Sequence, residues 1–85
     1  MKTNPDSTEV LDRLRRVVPE KVDVDPALLV PGAVLADIGI DSFALIELVF
    51  VAEEEFGIKI PLEGLQVHTV DDVLAVVLQR IAAPA

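Results

Sequence analysis

Few side chains in this sequence could do chemistry, and most of them gather in one stretch, LADIGIDSFALIELVFVAEEEFGIKIP, residues 35–61. It places Ser42 between Asp41 and Phe43, three positions after Gly39, and carries the acidic run Glu53, Glu54 and Glu55 further on. The chain has no cysteine, which excludes a thiolate nucleophile, a disulfide frame and sulfur ligation of a metal. His68 is the one histidine, and no nearby residue pairs it with a nucleophile as covalent catalysis would require. It reads as a surface or helix-capping residue. Consecutive glutamates on a helix point in different directions, and hard-cation cages draw their oxygens from a dedicated loop. The acidic run is therefore a solvated face, and no metal site is expected.

Ser42 admits two readings. A serine or aspartate at a helix start commonly caps free backbone N–H groups. Alternatively, the hydroxyl accepts a phosphate ester, because a helix N-terminus offers unpaired N–H groups and partial positive charge even on an acidic protein. Asp41 can take the capping duty and leave Ser42 exposed, while Gly39 lets the chain turn tightly just before it.

The elements that must position this serine follow from apolar spacing. A first helix is expected from Asp6, with Glu9 at the capping-box position and a stripe of Val10, Leu11, Leu14, Val17 and Val18, ending at Pro19. Arg13, Arg16 and Glu20 read as its solvated face. Residues 19–41 form a connection too long to be without structure, with one helical turn at DPALL, a bend at Pro31 and Gly32, and Leu28, Leu29, Val34, Leu35, Ile38 and Ile40 as anchors. A second helix should run from Ser42 to Phe56 and stop at Gly57. The segment LEGLQV, residues 62–67, is expected to give a turn or two of helix. A last helix opens at Thr69, with Asp72 at its capping-box position and Val70, Val73, Leu74, Val77 and Ile81 as its buried stripe.

The second helix carries more apolar residues than one buried stripe can use. Leu45, Leu48, Val49, Ala52 and Phe56 share one face; Phe43, Ile46 and Phe50 lie on a neighbouring face among Glu47, Glu53 and Glu54. That second stripe is either a docking surface or part of a helix buried on more than half its circumference.

At 85 residues, 52% hydrophobic and with a net charge of -8, the chain is one folded domain. The expected fold is all-α: a small four-helix bundle of three main helices and one short one, over residues 6–82, with tails at 1–5 and 83–85. The acidic balance disfavours nucleic acid, which needs clustered Lys and Arg, and favours a basic protein partner. No apolar run reaches the roughly 20 residues that span a bilayer. A cytoplasmic monomer without membrane insertion is expected.

LADIGIDSF followed by ELVFVAEEEFGIKIP resembles the acyl carrier proteins, whose pattern is an apolar residue, Gly, any residue, Asp, Ser and Leu, then an acidic helix ending in Phe and a downstream Ile-Pro. The resemblance covers roughly residues 7–82. It implies a non-catalytic carrier with 4'-phosphopantetheine on the matching serine, Ser42, and Asp41 near the contact with the phosphopantetheinyl transferase. It also implies that Glu47, Glu53 and Glu54 are read by basic patches on acyl-loading, ketosynthase-type or acyltransferase enzymes. Phe43 in place of Leu, and Ala44 and Leu45 at the top of the helix, depart from the fatty-acid pattern and point to a specialised acyl pathway. Peptidyl carriers favour a second Gly where this chain has Ile40. The rival readings are such a peptidyl carrier and an unmodified acidic interaction module docking through Phe43 and Phe50.

Overall fold

The computed structural model describes residues 5–82. The expected tails lie outside the described residues apart from Pro5. Helix α1 spans Ser7–Val17, α2 spans Ser42–Phe56 and α3 spans Val70–Ala82. Asp6 caps α1 by accepting the Glu9 N–H at 2.9 Å. Beyond Val17 the chain tightens into a 3-10 turn, Val18–Glu20, which accommodates Pro19 near its start.

Helix α1 packs against both α2 and α3. The core is aliphatic, built from Val10, Leu14, Val18, Leu48, Val49, Val73 and Val77 among others, and no polar or charged residue is buried among the described residues. None of the three phenylalanines belongs to it. Phe56, expected to face the bundle with Leu48 and Val49, is partly buried and packs against this core, with the Arg13 guanidinium over its ring 4.3 Å from the centre.

The long connection after α1 is structured throughout. It contains two further 3-10 turns, Pro26–Leu28 and Leu35–Ile38. Leu29, Leu35 and Ile40 are buried as expected, whereas Leu28 and Val34 are exposed, and Val22 and Val24 are buried in their place. The alternation of Val22 and Val24 around exposed Asp23 was the available signal: an extended segment turns every second side chain inward. The connection also docks on α3. Val34 and Thr69 form an antiparallel bridge, the Leu35 N–H donates to the His68 carbonyl at 2.9 Å, and the Val70 and Asp71 N–H groups donate to the Ala33 and Pro31 carbonyls. Two donors at the start of α3 that have no partner inside the helix are thereby satisfied by the connection.

The all-α class holds, with one correction. LEGLQV forms no helix but a single turn closed by the Leu65 N–H on the Leu62 carbonyl at 3.1 Å. Gly64 sits there at φ 76°, which ends any helical run.

Candidate attachment site

Ser42 stands at the first position of α2 and is exposed. The cap is Asp41, whose Oδ1 accepts the Ala44 N–H at 2.9 Å. The first bond inside the helix runs from the Leu45 N–H to the Asp41 carbonyl at 2.8 Å. The Ser42 and Phe43 N–H groups thus have no acceptor within the helix. The tight approach is made by Gly39 at φ 90°; a Cβ there would meet nothing within 4 Å, so the need for glycine is one of backbone conformation and not of space. A free hydroxyl at a helix N-terminus whose cap is supplied by its neighbour suits a phosphate ester on Ser42. A groove of about 240 Å³ opens beside it, lined by Val34, Ala36, Ser42, Leu45, Val67 and His68 among others.

Down the outer face of α2, Phe43 is 69% exposed, Phe50 55% and Ile46 39%. The inner face, Leu48, Val49 and Ala52, is buried. The two apolar stripes are therefore distinct, and the outer one faces solvent. Phe50 also joins Glu47, Glu54, Val17, Glu20 and Lys21 around a groove of about 470 Å³ between α2 and the end of α1.

The three consecutive glutamates have three different roles. Glu54 is exposed. Glu53 turns back, its Oε2 accepting the Ile60 N–H at 2.7 Å, while its carbonyl accepts the Gly57 and Ile58 N–H groups that close the helix. Glu55 pairs with Arg13 at 2.9 Å, and the same guanidinium donates to the Glu55 carbonyl at 3.1 Å. Arg13 is accordingly no solvated residue of α1 but the tie between α1 and the end of α2. Arg15 donates to the Leu29 carbonyl at 2.9 Å and Arg80 to the Lys59 carbonyl at 2.8 Å, each holding a connection to a helix.

At the other side of the groove, Thr69 and Asp72 form the expected reciprocal cap: the Asp72 N–H donates to Thr69 Oγ1 at 3.2 Å and the Thr69 N–H to Asp72 Oδ2 at 3.1 Å. The His68 N–H adds a second bond to the same carboxylate oxygen at 2.8 Å. The backbone N–H groups of His68 and then Thr69 hold the Asp72 carboxyl below its ordinary pKa, because each stabilises the charged form.

The family model described as "Phosphopantetheine attachment site" matches residues 12–77. The chain is 38% identical to the acyl carrier protein of Thermosynechococcus vestitus over 78 residues, which cover 89% of this chain and 96% of the relative. It is 37% identical to that of Phenylobacterium zucineum over 78 residues, 89% of this chain and 99% of the relative. With that of Caulobacter vibrioides it shares 35% over 77 residues, 88% and 99% of the two chains. No solved structure gives a significant match. A matching attachment model over most of the chain, with relatives of nearly the same length, establishes that this chain belongs to the acyl carrier protein family, whose cofactor is phosphopantetheine and which works with phosphopantetheinyl transferase and biosynthetic enzymes.

Proposed function

We propose that the chain carries its phosphopantetheine on Ser42 and presents the acyl cargo to basic partner enzymes through the outer face of α2. When attached, the arm supplies the terminal thiol that holds the acyl group as a thioester. The observation that carries this reading is the division of labour at the start of α2: Asp41 caps the helix, and Ser42 is left exposed beside it. Phe43, Ile46 and Phe50 give the docking face its apolar contact, and Glu47 and Glu54 give it charge to steer basic patches. Glu53 has a smaller part there, its carboxylate being engaged by the Ile60 N–H. The partners are the transferase that installs the arm and the acyl-loading, ketosynthase-type or acyltransferase enzymes that use it. The chain itself contributes no catalytic group. Exposed Phe43 at the attachment residue favours a specialised acyl pathway, and a cysteine-free chain fits a reducing compartment such as the cytoplasm.

Intact-mass measurement after incubation with a phosphopantetheinyl transferase and coenzyme A tests the assignment. The wild-type chain gains one arm and Ser42→Ala gains none, while the substitution changes stability by no more than about 1 kcal/mol. An arm on Ser42→Ala would show that another residue is the acceptor.

A further inference from the structure

We propose that His68 is a positioning residue for the arm: its protonated imidazole pairs with the phosphodiester formed on the Ser42 hydroxyl and holds the first part of the arm in the groove beside α2. This rests on Ser42 as the point of attachment. His68 and Ser42 line the same groove, and among the described residues His68 is the one basic side chain lining it. Its backbone is fixed from two sides, with the N–H on Asp72 Oδ2 at 2.8 Å and the carbonyl on the Leu35 N–H at 2.9 Å. The ring therefore moves only about its own side-chain torsions. Val34, Ala36 and Val67 make the adjoining walls apolar, which suits the branched hydrocarbon that follows the phosphate in pantetheine.

Charge supplies the reason for a cation at this place. Asp41 also lines the groove, so a phosphodiester on Ser42 adds a second negative charge next to the first. Asp41 turns one oxygen to the Ala44 N–H, and Asp72, from the start of α3, turns one to the His68 and Thr69 N–H groups. Asp37, next to Ala36 in sequence, does not line the groove. The groove thus holds one carboxylate, Asp41, with one oxygen already engaged by a backbone donor, and one imidazole able to meet a new anion. The lowered pKa of Asp72 keeps that carboxylate ionised wherever an imidazole titrates, at about pH 5 to 8. Any change in His68 on attachment of the arm then reports the phosphodiester.

The test follows the His68 ring by NMR from about pH 5 to about pH 8 in the apo chain and in the holo chain, the latter verified by intact mass. The midpoint for His68 should differ between the two chains, and the phosphorus resonance of the holo chain should move with that of its own His68. In His68→Gln the arm is installed to full mass and the phosphorus resonance stays flat across that range. Equal His68 midpoints in apo and holo chains, or a phosphorus titration that survives His68→Gln, overturns the proposal while leaving Ser42 as the attachment residue. A wild-type chain that gains no arm fails at Ser42 and takes this proposal with it.

Discussion

The two ends of α2 are built differently. Its C-terminal end is tied down by a side chain from another helix, Arg13 on Glu55 and over Phe56, by Glu53 reaching on to the Ile60 N–H, and by Gly57 at φ 65° closing the last turn. Its N-terminal end is held by a local cap, Asp41 on Ala44, and then offers Ser42 and Phe43 to solvent. One end of the helix is thus tied to a distant element, and the other leaves Ser42 and Phe43 exposed beside a local cap.

The sharpest way to break this comparison is to cross from the inner to the outer face. Leu48→Ala should cost about 2 to 5 kcal/mol by leaving a cavity in the core. Phe50→Ala and Phe43→Ala should each cost about 1 kcal/mol or less, yet lower turnover by partner enzymes roughly tenfold or more, as loss of an aromatic anchor at an interface does. Urea melts and transferase kinetics on the same three variants measure both effects. Equal destabilisation by all three would place the phenylalanines in the core and remove the docking face.

Next in size is the tie at the far end. Arg13→Ala should lose about 1 to 2 kcal/mol, since it removes hydrogen bonds to a charged group and a cation over a ring; a denaturant midpoint unchanged from wild type would mean that α1 does not hold the end of α2. A finer cut separates adjacent glutamates. Glu53→Gln weakens the bond from the Ile60 N–H and should cost about 1 kcal/mol, whereas Glu54→Gln should leave the melting curve in place and slow partner association at low salt. Identical melts for the two would return Glu53 to the solvated face.

The smallest expected effect is a pH dependence at the start of α3. The folded pKa of Asp72 is lowered, so its contribution to stability is full above the ordinary carboxylate range near pH 4 and is lost as pH falls through the lowered value. Asp72→Asn should therefore reduce the difference between urea midpoints measured at about pH 5 and about pH 2. A difference as large as in wild type would assign the acid sensitivity to other carboxylates.

What could be read from the sequence was what is local. The caps by Asp6, Asp41 and the Thr69 and Asp72 pair are set by residues three apart, and the structure forms each of them. The bounds of α2 and its two apolar stripes follow from periodicity in the same way. Arg13 and Glu55, by contrast, meet across 42 residues, and no pattern along the chain distinguishes Arg13 from the exposed Arg16 three positions on. Glu53 was misjudged for a related reason: its acceptor role depends on how the chain reverses after Gly57. At Ser42 the helix start and the exposure were legible, but the groove shared with His68 exists only because the first connection docks on α3.

That docking has a consequence for motion. The amide protons of Val70 and Asp71 are held by carbonyls of the connection and not by α3 itself, so their exchange with solvent deuterium times the lifting of the connection. Opening large enough to free Pro31 and Ala33 also frays the first turn of α3, so the two segments should exchange as one cooperative unit. Two amides remote in sequence from Ser42 thereby become a clock for how often the wall of its groove swings open.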